Sequence, residues 1–162
     1  AVLFAELFQA QTTQFRGETV ITLAGEHIVA AMRSLHEEFK FDQLVDVTAV
    51  DYWPQESPRF HVVYHVRNLA DRLIVCLRVP LDGNMPEVET VEGVFAGANW
   101  FEREVYDMFG VRFRNHSDLR RIMMPHDWTG HPLRKDYPLG YEEVQFTFNH
   151  ERISAQKLHP KE

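Results

Sequence analysis

Cysteine is almost absent from this chain: Cys76 is the only one. That excludes a disulfide framework and suits a reducing compartment. It also excludes an iron–sulfur cluster held by this chain alone, because such clusters take about four thiolates. No apolar run approaches the roughly 18 residues of a membrane-spanning helix. The opening AVLFAELFQAQ has no basic flank before its short apolar stretch, so it does not read as a signal peptide. It also lacks the Lys and Arg of a membrane-surface helix. Phe4 and Phe8 are spaced i, i+4, as are Leu3 and Leu7, so a short docked helix is expected.

Reaction motifs are missing as well. Neither G-x-G-x-x-G nor G-x-x-x-x-G-K-[ST] occurs, which removes the usual phosphate cradles. His36-Glu37 begins an H-E-x-x-H pattern that fails at Lys40. His116, His126, His131, Asp118 and Asp127 have no Cys companions, and their spacing fits no zinc pattern. Asn115-His116-Ser117 matches a glycosylation acceptor, but nothing else points to secretion. Cys76 falls in the middle of an expected strand and reads as a buried, inert thiol.

What is present suits one domain with an extension: 162 residues, 44% hydrophobic and 25% charged. The charge is unevenly spread. Six basic residues between Gly110 and Gly140 face three acids, a local +3 in a chain of net −7. An acidic body with a basic strap calls for a specific charged partner. Nucleic acid is the poorer candidate, since domains that bind it are basic overall.

Period-two alternation marks strands. Phe60, Val62, Tyr64 and Val66 share a face, as do Leu73, Val75, Leu77 and Val79, and the short link between them predicts an antiparallel hairpin. Strands are also expected near Glu18–Leu23 and Leu44–Asp51. Amphipathic helices are expected over Gly25–Lys40 and from about Asn99 to Phe109, with a short one at Thr90–Phe95. Asn99 and Glu102 have the spacing of a capping box, and Gly110 is placed to end the second helix. These elements define an α+β domain over residues 1–110, with helices on a mainly antiparallel mixed sheet. A long extended arm over 111–162 follows.

The arm has little periodicity, and more than about 15 residues without regular structure must be disordered or held. Phe113, Leu119, Ile122, Met123, Met124, Trp128, Leu133 and Tyr137 argue for held, by a partner. Glu102, Glu104 and Asp107 could be acid/base carboxylates of a stand-alone enzyme. The stronger reading pairs Arg103 with Asp107 at i, i+4 and makes the group structural or interfacial. Arg120-Arg121 and Arg134-Lys135-Asp136-Tyr137, interleaved with Trp128, have the composition of an interface arm, with Arg forks that hold carboxylates. A phosphate- or RNA-binding module is the competing view.

The run EREVYDMFG, then His116-Ser117-Asp118-Leu119-Arg120-Arg121-Ile122, then Trp128-Thr129-Gly130-His131-Pro132-Leu133-Arg134-Lys135-Asp136-Tyr137-Pro138, closely resembles the signature of the C-type subunit of the respiratory NADH:quinone oxidoreductase, complex I. The resemblance covers about a quarter of the chain. It implies a member of the hydrophilic arm with no catalytic, cofactor or metal site of its own. FMN and Fe–S clusters are then expected on partner subunits. It further implies contact with the D-type subunit and with cluster-bearing subunits near the quinone site, on the cytoplasmic or matrix face of the membrane. The chain lacks the D-like domain fused in some bacterial members, so the D-type partner is expected as a separate polypeptide. Glu102, Arg103, Asp107, Arg120, Arg121, Trp128, Arg134, Lys135, Asp136 and Tyr137 are the expected interface residues. A homologous subunit of a membrane-bound hydrogenase, or of another ion-pumping oxidoreductase, is the alternative. In the link to Gly140-Tyr141 this chain departs from the family pattern.

Overall fold

The computed structural model describes residues 2–55, 57–83, 85–138, 148 and 150–152. Five strands form the main sheet: β1 (Gln11–Phe15), β2 (Glu18–Thr22), β3 (Gln43–Asp51), β4 (Phe60–Asn68) and β5 (Leu73–Leu81). Their spatial order is β1-β2-β5-β4-β3, antiparallel except for the parallel β2–β5 pair. The β4–β5 hairpin has the expected register, with Val62 opposite Val79, Tyr64 opposite Leu77 and Val66 opposite Val75. Its inward residues Phe60, Val62, Tyr64, Val66, Leu77 and Val79 are wholly buried.

Helix α1 (Val2–Leu7), α2 (Ile28–Glu37) and α3 (Ala98–Phe109) supply the rest of the core. Phe4 and Phe8 are buried against one another, with ring centroids 4.8 Å apart. From α2, Ile28, Ala31, Met32 and Leu35 are buried, so its apolar stripe faces the sheet as the i, i+3, i+4, i+7 pattern requires. The first turn expected of this helix, Gly25–His27, is a tighter 3-10 turn. From α3, Ala98, Val105 and Met108 are buried on the β3 side. Burial pushes the Cys76 thiol up, which keeps it protonated and unreactive.

Several local expectations give way to tertiary structure. Thr90–Phe95 is a set of turns, not a helix. A second sheet pairs β6 (Glu87–Glu89) with β7 (Arg112–Arg114) in parallel, seating Val88 and Phe113 in the core. The capping box does not form. Helix α3 starts at Ala98 after Gly97, without a side-chain cap, and the Asn99 amide is committed to Glu92 and Ser117.

Residues 150–152 are helical, but the stretch from 115 to 138, after β7, has no helix or strand. The correction concerns what holds it: residues 116–137 lie on their own domain, along α3 and across the β3–β4 end of the sheet. The expected continuation of the arm through residues 139–147 and 153–162, with its Gly140-Tyr141 link, lies outside the described residues.

Candidate functional site

The strap is stapled to the domain by two ionic centres, both built from buried carboxylates. The first is Asp107, whose side chain is fully buried on the last turn of α3. Its Oδ2 accepts three consecutive backbone N–H groups, from Ile122 at 3.0 Å and from Met123 and Met124 at 2.8 Å each. Successive amides converging on one oxygen make an anion nest, here filled by the protein's own carboxylate. Oδ1 takes the Arg121 guanidinium at 2.5 Å. Burial alone would raise the Asp107 carboxyl. The Met124 amide, Arg121, and the Met123 and Ile122 amides outweigh burial and hold it below the usual range.

Around this centre the strap also caps the helix. The last carbonyls of an α-helix have no partner within it. Here the Asp107 carbonyl accepts from Arg121 and from His131 Nδ1 at 2.9 Å, and the Met108 carbonyl accepts the Leu133 N–H at 3.0 Å. Arg121 reaches on to the Trp128 and Gly130 carbonyls. Arg103 does not pair with Asp107. Its guanidinium lies 5.0 Å over the Trp100 ring and donates to the Arg120 and Arg121 carbonyls.

Gly110 makes the close approach possible. Its φ of +78° is left-handed, and a Cβ there would lie 2.6 Å from His131 Cδ2. Gly110→Ala should therefore destabilise the chain by about 2–3 kcal/mol, the sum of backbone strain and a displaced His131. Thermal unfolding of the variant measures this, and an unchanged melting temperature would contradict it.

The second centre is an alternating chain, Asp51–Arg59–Asp136–Arg134. Asp51 sits at the inward end of β3, with its side chain fully buried. Arg59 forks onto it, Nε to Oδ1 at 2.9 Å and Nη2 to Oδ2 at 2.8 Å. The far side of the same guanidinium holds Asp136 at 2.9–3.0 Å, and Arg134 pairs with Asp136 at 3.1 Å. Trp53 and Phe60 lie 4.7 and 4.8 Å from the Arg59 guanidinium, and Arg134 lies over Phe60. The Lys135 N–H donates to Asp51. Hydrogen bonds from Arg59 and Arg134 hold the Asp136 carboxyl far below the usual range.

The remaining candidates have simpler places. Glu102 is fully buried and accepts from the Thr90 hydroxyl and the Val91 N–H. Glu104 is exposed. The three α3 carboxylates therefore do not converge on one cleft. Arg120 is exposed and paired with Asp118 at 2.8 Å. Tyr137 packs against Gly130, where a Cβ would come within 2.8 Å of its ring. Sequence reasoning passed over Arg59, Asp51, Trp53 and Thr90, and weighed His131 only as a metal ligand and as part of the family signature. One signal was available for Asp51: it continues the inward parity of Val47 and Ala49, where a charge demands a buried partner.

The carboxylate anchors leave a set of apolar side chains outside. Because the 122–124 amides point inward at Asp107, Ile122 and Met123 are displayed, Met123 at 64% exposure. Trp100 and Leu133 are exposed as well, at 61% and 50%. Among the described residues no group of three or more His, Cys, Asp or Glu could hold a metal ion, and no helix is long and apolar enough to cross a membrane.

This chain shares its fold with chains of known structure. It is similar to a chain of the membrane-bound sulfane sulfur reductase, an archaeal respiratory membrane complex. The TM-score is 0.75 at 20% identity, over 99% of this chain and 93% of that one, a likeness of fold alone. A trypsin-resistant fragment of Nqo5 matches with a TM-score of 0.65 at 30% identity, over 73% of this chain and 96% of the fragment. Residues 21–143 match the model of the respiratory-chain NADH dehydrogenase 30 Kd subunit. The NADH-quinone oxidoreductase C-type subunit of Roseiflexus sp. (strain RS-1) is 47% identical over 93% of this chain and 87% of its own length. That of Geobacter sulfurreducens is 48% identical over 78% of each. The chain belongs to the family of respiratory-chain NADH dehydrogenase 30 Kd subunits, which are the C-type subunits of NADH-quinone oxidoreductases.

Proposed function

We propose that this chain is a structural subunit of the hydrophilic arm of a proton-pumping NADH:quinone oxidoreductase. It docks on the quinone-reducing module and carries no redox centre of its own. Electrons pass from NADH to quinone through FMN and Fe–S clusters on partner subunits, and this chain holds the neighbouring module in place. The display of Ile122, Met123, Trp100 and Leu133 around a rigidly anchored strap is the observation that carries the reading. A monomer gains nothing by holding apolar side chains in water, whereas an interface core does. The single cysteine supports the absence of a cluster.

In this reading Arg120, Trp128, Arg134, Lys135 and Tyr137 touch partners, chiefly the D-type subunit and cluster-bearing subunits near the quinone site. Glu102, Arg103, Asp107, Arg121 and Asp136 act from beneath by fixing the strap. Attachment to the membrane is peripheral, through the complex, on the cytoplasmic face in a bacterium. A homologous subunit of a membrane-bound hydrogenase or another ion-pumping oxidoreductase is the alternative, and the sequence relatives favour the NADH enzyme.

Trp100→Ala with Met123→Asp tests the docking. Both side chains are exposed, so the melting temperature of the isolated chain should fall only slightly, by what the lost Arg103–Trp100 stacking contributes, about 0.5–1 kcal/mol. Assembled complex and NADH:quinone activity should fall together, by about tenfold or more, as expected for two interface anchors. Normal assembly of this variant would refute the docking surface.

A further inference from the structure

Glu102 sits where a carboxylate is hardest to keep charged. Its side chain is fully buried, Oε1 accepts the Val91 N–H at 2.8 Å, and Oε2 lies 2.5 Å from the Thr90 hydroxyl. Three titratable side chains face it. Glu92 comes from the same loop as Thr90 and brings a second negative charge. His116 comes from the segment after β7. Its ring is fully buried, with Nε2 3.8 Å from both the Glu102 and the Glu92 carboxylates. Tyr64 comes from β4, and its buried hydroxyl has no hydrogen-bond partner among the described residues. Arg103, one residue along α3, is turned away to the Arg120 and Arg121 carbonyls.

The His116 ring is held by hydrogen bonds to backbone groups and not to either carboxylate. Its Nδ1 accepts the Asp118 N–H at 3.0 Å, and its Nε2 faces the Asn99 carbonyl at 3.2 Å. An acceptor at one nitrogen and a donor at the other define the neutral Nε2–H tautomer, as assigned from these bonds. Glu92 is the better site for the charge. It accepts from the Ser117 N–H at 2.7 Å, the Ser117 hydroxyl at 3.1 Å and the Asn99 amide at 2.8 Å. Burial acts to raise the Glu92 carboxyl, but these bonds bring it below the usual range.

We propose that Glu102, Glu92 and His116 form a proton-binding site that holds a single proton, on Glu102. The site thereby sets how firmly the root of the strap, residues 115–118, is held to α3. The root is tied to the cluster through Ser117 to Glu92, Ser117 to Asn99, and His116 to Asn99. Loss of the Glu102 proton puts two negative charges on either side of a neutral ring. Movement of the root relieves that repulsion.

The direction of the pH dependence follows. Burial lifts the Glu102 carboxyl from 4.5 to about 7, against the Thr90 and Val91 hydrogen bonds and with help from Glu92. The folded chain therefore holds more protons than the unfolded chain between those values. The root is firmest below that window and loosens as pH rises through about 7.

Infrared spectroscopy on the full chain, combined with amide hydrogen exchange, tests the site. The carbonyl band of a protonated carboxylic acid should be present at about pH 6 and lost by about pH 8. It should be absent in Glu102→Gln. Its midpoint should fall in Glu92→Gln, where a repelling charge is gone, and rise in Thr90→Val, where a hydrogen bond to the carboxylate is gone. Exchange at the Ser117 and Asp118 amides, corrected for its intrinsic pH dependence, should rise by about tenfold across the same midpoint. In Glu102→Gln it should be flat. No acid band at about pH 6, a band that survives Glu102→Gln, or an unmoved midpoint in Glu92→Gln would overturn the site. Unchanged exchange at Ser117 and Asp118 across the titration would overturn its role. Glu92→Gln and Thr90→Val carry the test even if Glu102→Gln does not fold.

Discussion

Asp107→Ala is expected to release residues 120–124 from α3 and to destabilise the chain by about 3–5 kcal/mol. The substitution removes one small side chain but orphans four groups at once. The amides of Ile122, Met123 and Met124 lose their acceptor, and the Arg121 guanidinium, only 13% exposed, loses its counter-ion. An uncompensated buried charge is the largest of these losses. Asp107→Asn keeps the volume and one acceptor oxygen but presents an amide to a nest of N–H donors, so it should fall between wild type and Ala. Chemical denaturation gives the free energies. A loss below about 1 kcal/mol for Asp107→Ala would mean that the nest is not a staple.

Arg59→Ala should have a comparable effect by a different route, about 3–5 kcal/mol. It leaves Asp51, whose side chain is fully buried, charged and without its fork, and it frees Asp136 from the domain. The two anchors also differ in what they release: Asp107 holds the middle of the strap, Arg59 its far end. Arg59→Lys should recover little, because an ammonium cannot reach two carboxylates with four aligned donors while lying between Trp53 and Phe60. The double variant Arg59→Ala with Asp51→Ala should cost less than the sum of the singles, since each single strands the other's charge. Strict additivity would show that the pair is not coupled.

How legible this was in the sequence depends on the range of the interactions. The β4–β5 hairpin was legible because period-two burial is a local property of nine-residue strands. Strand β1, Gln-Thr-Thr-Gln-Phe, was not, because every residue is exposed and it exists only as an edge partner of β2. Strand β6 has three residues and owes its existence to β7, more than twenty positions later. The Asn99–Glu102 spacing suggested a cap. Instead Glu102 turns inward to Thr90 and Val91, a contact that no local pattern contains.

The strap shows the same division. Its charged residues could be picked out by type and grouped into one functional stretch. Their partners could not be assigned. The i, i+4 rule offered Asp107 to Arg103, whereas the observed cation is Arg121, 14 residues away, with three backbone amides around it. Arg59 and Asp136 lie 77 positions apart. A basic arm in an acidic chain reads naturally as a contact for another protein. Geometry adds that its charges first bind the strap to its own body, which leaves the apolar side chains to face outward.

The most direct test is therefore amide hydrogen exchange on the isolated full chain, read at Ile122, Met123, Met124, Leu133 and Lys135. Each of these amides donates to Asp107, Met108 or Asp51 in the folded chain. The account predicts exchange slowed by about a hundredfold or more relative to unstructured peptide at all five, without any partner present. Unprotected rates at these amides, becoming slow only in the assembled complex, would show that partners and not the chain's own carboxylates hold the strap.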